Sequence, residues 1–171
     1  MMTTNDNGYS RKMYERSYGE KYDANLSTTD IAKRFRADVK DAIKAGKLPK
    51  GLKLSVRTSY YAGGSSIRVY VQAAPFRVMN PEAVIASIER PMAYERASRH
   101  TAEAMALTSQ LEKMLAAYNH DGSEAQVDYF DVNFYGFVDI DHDLEHAERE
   151  EIRAEHEANR DWTPPWSSEV R

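Results

Sequence analysis

The period of the apolar residues switches from helical to extended and back along this chain, and each switch predicts an element. Ile31, Phe35, Val39 and Ile43, with Ala32 and Ala42 beside them, form a stripe at helical spacing and predict a helix from about Thr29 to Ala45. Ser27 and Thr28 offer hydroxyls to its unpaired first-turn N–H groups, and Gly46 ends it. Leu52, Leu54, Val56, Thr58 and Tyr60 then alternate with Lys53, Ser55, Arg57 and Ser59. Ile67, Val69, Val71 and Ala73 alternate in turn with Arg68, Tyr70 and Gln72. This predicts two strands joined by a Gly63-Gly64-Ser65-Ser66 turn. Their apolar sets face the helix, and Arg57, Arg68 and Tyr70 share the other face.

Asn80-Pro81-Glu82 is a helix start, with Asn as the cap and Pro in the first turn, and the short helix through Val84, Ile85 and Ile88 stops before Pro91. Ala104, Leu107, Leu111, Met114, Leu115 and Tyr118 predict a longer helix from about Tyr94 to Tyr118. After a turn cluster at Asn119-His120-Asp121-Gly122-Ser123, Phe130, Val132, Phe134 and Val138 alternate with Asp131, Asn133, Tyr135 and Phe137 as a third strand. Beyond Asp143 the pattern is a charged helix, and Pro164-Pro165 prevents it from continuing to Trp166. The expected class is α+β: a small antiparallel sheet, the hairpin plus a third strand, packed on helices on one face, with a C-terminal acidic helix. Three regions follow: a polar, tyrosine-rich and poorly ordered segment over 1–25, the α+β domain over 26–140, and an acidic helix with a Trp/Pro tail over 141–171.

A chain of 171 residues suffices for one domain with a core. Without cysteine it has neither disulfides nor thiolate chemistry. The opening residues carry no signal-peptide pattern, and no apolar run approaches the roughly 18 residues of a membrane span, so a cytoplasmic protein without membrane contact is expected. Net charge of −4 hides a segregation. Asp30 to Arg57 holds nine basic residues against three acidic, whereas Asp139 to Asp161 holds ten acidic against three arginines. Such blocks suit a polyanion-binding face and an acidic interaction segment, or simply a solvated surface whose halves balance.

The exposed hairpin face offers the most specific chemistry. Arg57 and Arg68 suit phosphates, and Tyr70 suits stacking on an unpaired base. Gly63, Gly64, Ser65 and Ser66 bring turn N–H groups and hydroxyls that could cradle an anion, although no Gly-Lys-Ser/Thr closes a Walker loop. Lys33, Arg36, Lys40 and Lys44 extend the basic region if their helix lies at the sheet edge. The plain alternative is that the glycines serve the turn and the arginines a wet sheet face. Trp162 and Trp166, flanking Pro164-Pro165 after a negative helix, suit a partner pocket. Asp139, Asp141, His142, Asp143 and His146 could approach a metal, yet aspartates also suit a helix N-terminus, so no metal is assigned. No nucleophile elbow, kinase signature or zincin motif is present, and neither catalytic residue nor cofactor is expected.

Ser27-Thr28-Thr29-Asp30-Ile31-Ala32-Lys33 opening a helix, then Leu54-Ser55-Val56-Arg57, then Tyr60-Tyr61-Ala62-Gly63-Gly64-Ser65-Ser66-Ile67-Arg68-Val69, resembles a large-polyvalent-protein-associated domain. The similarity covers about residues 26 to 75. It implies a bacteriophage or other mobile genetic element as the source and a bacterial host cytoplasm as the setting, and it carries over no catalytic residue. The functional expectation is a non-enzymatic accessory binding module, taking nucleic acid through the hairpin face. The alternatives are a protein-binding inhibitor of a host defence or DNA-processing protein acting through the acidic C-terminal region, and a metal-dependent enzyme. Exposed strand edges leave dimerisation open.

Overall fold

The structure is a computed structural model describing residues 17–91, 97–122 and 131–160. The chain order is β1 (Ser17–Tyr18), α1 (Thr28–Lys44), β2 (Lys53–Tyr61), β3 (Gly64–Ala73), α2 (Pro81–Glu89), α3 (Ala102–Ala116), β4 (His120–Asp121), β5 (Tyr135–Ile140) and α4 (His142–Ala158). The class is α+β. The main sheet has the order β2-β3-β5, and the two short strands β1 and β4 pair antiparallel as a separate ribbon.

The hairpin forms where the alternation places it, with Arg57 opposite Arg68 and Val56 opposite Val69. Its turn is tighter than the sequence suggests. Tyr61 pairs with Gly64, so Ala62 and Gly63 alone make the loop, and Gly63 takes the positive φ of 95° that glycine adopts at little cost. Ser65 and Ser66 therefore belong to β3. The third strand departs from the expected antiparallel sheet: β5 runs parallel to β3, with Arg68 beside Phe137 and Val71 beside Ile140. Two helices separate β3 from β5, and a helical crossover of that length returns the chain in the same direction, whereas a tight turn reverses it. The sheet is mixed for that reason.

Helices cover one face. Phe35, Ile67, Val69, Val71, Leu111, Phe134 and Ile152 are all essentially inaccessible to solvent and meet in one core. The α1 stripe is realised as read, with Ser27 capping the Asp30 N–H. Helix α3 begins later than about Tyr94, because Thr101 caps it at the Ala104 N–H and the preceding residues form a bridge from Met79 to His100. The third strand likewise lies further along the chain than 130–138, and Phe134 enters the core just before it.

The described parts of the two flanking regions, 17–25 and 141–160, pack against the domain. In the first, β1 pairs with β4, and Gly19 packs so closely on the last turn of α3 that a Cβ there would run into the Ala117 carbonyl. Gly19→Ala is expected to loosen this ribbon by about 1–2 kcal/mol, seen as faster exchange of the Lys21 amide, which is bonded to the Ala117 carbonyl. Lys21 and Tyr118 both bond the Asp38 carboxylate, at 2.5 and 2.7 Å, tying the segment to α1. Partial burial would raise the Asp38 pKa, but these two hydrogen bonds outweigh it and hold the carboxyl below its ordinary 3.8. Burial and the bond to Asp38 push the Tyr118 phenol above its ordinary value. A depressed carboxyl stabilises the fold above its unfolded pKa and loses that contribution as pH falls through the folded value. Asp38→Asn is therefore expected to cost about 1–2 kcal/mol at neutral pH, with the gap from the native chain closing below about pH 4 in urea titrations.

The second region is α4, whose Ile152 and Glu145 are buried against the domain. The first sixteen residues of the tyrosine-rich segment, and the Trp162 and Trp166 expectation, lie outside the described residues.

Candidate nucleic-acid interface

The period of two in β2, β3 and β5 sends alternate residues to the face that no described helix covers. The registers set three rows there: Ser59, Ser66 and Tyr135; Arg57, Arg68 and Phe137; Ser55, Tyr70 and Asp139. The hairpin end adds Tyr61, whose ring centroid lies 6.4 Å from that of Tyr135. Two arginines directly opposite each other repel, and such a cross-strand pair is normally destabilising. No described carboxylate forms an ion pair with either, although Asp139 shares the face. What supports them is aromatic. The Arg57 guanidinium lies 5.5 Å from the Tyr70 ring centroid and that of Arg68 lies 4.7 Å from the Phe137 centroid. The rings fix the planar groups over the sheet without neutralising them, so both charges remain available to a phosphate.

The structure brings Arg57, Arg68 and Tyr70 together and disperses the rest of the expected set. Gly63 stays in the exposed turn and Gly64 opens β3, its Cα facing the Tyr61 and Tyr135 rings. Ser65 points to the core side, buried, with its hydroxyl 2.7 Å from that of Thr28. Ser66 is buried between Ser59 and Tyr135. The Ser65 hydroxyl is thus turned away from the hairpin turn and engaged by Thr28. Lys33 pairs with Asp30 on α1 at 3.3 Å. Arg36 and Lys40 line a groove between α1 and β2, and the Arg36 guanidinium donates to the Val56 carbonyl at the sheet edge. Phe137 is the residue the sequence reading passed over. It is 41% exposed, and its signal was a large apolar side chain in the polar register of a strand.

Three carboxylates of the acidic helix α4 are engaged by partners within the fold, while Asp143, Glu150, Glu151 and Glu157 stay on its exposed side. Glu145, buried, meets Arg99 and His100, the latter at 2.6 Å. One Glu148 oxygen accepts both the Val78 and Met79 N–H groups at 2.7 and 2.8 Å. Glu155 takes both arms of Arg77, which hold its carboxyl below the ordinary value. Along the helix itself, Arg153 pairs with Glu150 at 3.0 Å. His142 and His146 stack at 6.3 Å between centroids, and among the described residues no group of three His, Asp or Glu side chains is placed to hold a metal ion. No described helix is long and apolar enough to cross a membrane.

Fold and face together define an α+β domain whose mixed sheet is helix-covered on one side and cationic and aromatic on the other. Comparison with known proteins returns no match: no family model, curated protein or solved structure is significantly similar to this chain.

Proposed function

We propose that this chain is an accessory binding module of a phage or other mobile element, acting in the cytoplasm of a bacterial host and holding single-stranded nucleic acid on the open face of its β2-β3-β5 sheet. The observation that carries the reading is the Arg57–Arg68 pair, with which no described carboxylate forms an ion pair and in which each guanidinium is laid on a ring, on a face that also carries exposed Tyr61 and Phe137 and half-buried Tyr70 and Tyr135. Guanidinium groups take phosphates, and rings on a sheet face stack on bases that are not already stacked in a duplex. The source rests on the resemblance of residues 26 to 75 to polyvalent-protein-associated domains. The rival in which the acidic C-terminal region contacts a host protein draws less support, because Glu145, Glu148 and Glu155 have partners within the fold and only the remaining α4 carboxylates, such as Glu150 and Glu151, face solvent without a long-range hydrogen bond to a described residue.

The test is fluorescence anisotropy with labelled single-stranded and duplex DNA and RNA across a salt series. Single strands are expected to bind more tightly than duplexes, with log affinity falling against log salt at a slope of about −1.4 or steeper for two or more phosphates. Absence of binding at low salt overturns the proposal.

A further inference from the structure

A second surface lies across the β2 edge from the arginine face. Between α1 and β2 runs an open groove of about 370 Å³ floored by Val39, Ile43, Leu52 and Leu54. Along its α1 rim stand Arg36, Lys40 and Lys44, each four residues from the next. Among the described residues no acidic side chain lines it; the nearest carboxylate by sequence, Asp41, holds Lys44 loosely at 3.5 Å and lines a different cleft. An apolar trough with a one-sided row of cations at helical pitch is a chemical description of its occupant.

We infer that this groove docks an amphipathic helix of a partner protein whose apolar anchors are flanked by a row of acidic residues. Three observations select that occupant. First, charge: residues four apart on a helix lie about 6 Å apart along its axis, so the rim cations match carboxylates at i, i+4 and i+8 on a helix lying alongside α1. Second, volume: the groove has room for roughly three aliphatic side chains, the usual anchor set of a helix seated in a groove. Third, the strand edge: Arg36 donates to the Val56 carbonyl, which an added β-strand would need for its own ladder, so strand addition is blocked there. The concave, apolar floor suits neither a flat bilayer nor a phosphate chain. This docking site is independent of the nucleic-acid reading, because its residues line the α1 side of β2 and those of the proposed nucleic-acid face lie on the opposite side of the sheet.

The experiment uses the full chain and a panel of labelled helical peptides of about 14 residues, with Leu, Ile or Phe anchors at i, i+3 or i+4, and i+7. Each is made with a glutamate flank and with a lysine flank. Glutamate-flanked peptides are expected to bind and lysine-flanked ones not to. The exposed double substitution Lys40→Glu with Lys44→Glu is expected to weaken the acidic peptides by about tenfold or more and to admit the basic ones, a swap that unfolding cannot imitate. Ile43→Gln is expected to weaken both arrangements. Failure of every peptide to bind at millimolar concentration overturns the inference, as does equal binding of the two flanks. Two further outcomes overturn it in favour of other occupants: dodecanoate binding that Ile43→Gln removes while no peptide binds, and loss of single-stranded nucleic acid, rather than peptide, on the Lys40/Lys44 reversal. The arginine-face titration is read separately, so failure of one proposal leaves the other standing.

Discussion

Replacing Arg57 and Arg68 together by alanine is expected to reduce affinity for single-stranded nucleic acid by about two orders of magnitude and to flatten the salt slope by about 1.4. The chain should remain folded. The two guanidinium groups are exposed on a face that no described helix covers, and they repel across the strand pair. Losing their contacts with Tyr70 and Phe137 costs about 0.5–1 kcal/mol each, and relief of the like-charge pair returns a comparable amount, so urea midpoints should barely move. That separation of affinity from stability is the useful signature. The Arg57→Lys with Arg68→Lys variant keeps the charge but not the planar group laid on the ring, and should retain the salt slope while losing part of the affinity. Tyr70→Ala with Phe137→Ala should do the reverse, weakening binding at every salt concentration by a similar factor, since stacking releases no counterions. If both arginines are removed without effect on a chain that binds nucleic acid, the binding surface lies elsewhere.

Glu148→Ala is expected to be the most damaging single exchange of a polar residue, at about 2–4 kcal/mol. One carboxylate oxygen of Glu148 accepts two N–H groups from Val78 and Met79, residues that are almost wholly buried. Deleting it leaves both donors without a partner in the interior, each at about 1–3 kcal/mol. The same segment passes Arg77 to Glu155 and its Val78 carbonyl to the Thr101 N–H, so α4 fastens the connection between β3 and α3. Glu148→Gln retains an oxygen in the same place and loses only the assistance of the charge, so it should cost about 1 kcal/mol. Chemical denaturation of the three chains separates these outcomes. A mild effect from Glu148→Ala would mean that α4 is dispensable to the fold and would return its acidic charge to the surface as a candidate interaction site.

Those two expectations divide along the line between what local pattern and what assembly decide. The sequence by itself determined α1, the hairpin and the side of the sheet on which Arg57, Arg68 and Tyr70 stand, because helical and extended periods are local and a strand's alternation assigns its faces without knowledge of its partners. It likewise marked the caps at Ser27 and Asn80, where one side chain answers a neighbouring N–H. Only the tertiary structure decided that β5 runs parallel to β3, placing Phe137 beside Arg68, since strand direction depends on how two intervening helices pack rather than on the strand's own residues. It also withdrew Ser65 into a bond with Thr28, 37 positions away, and moved Arg36 and Lys40 to a groove on the other side of β2. The acidic block of α4 is the clearest case. Read along the chain it is an unbalanced run of charge, while in space Arg77, Arg99 and the Val78 and Met79 amides answer it from more than forty residues away. Charges and hydrogen-bond donors find partners by distance in space, and that distance is fixed by the packed core rather than by position in the sequence.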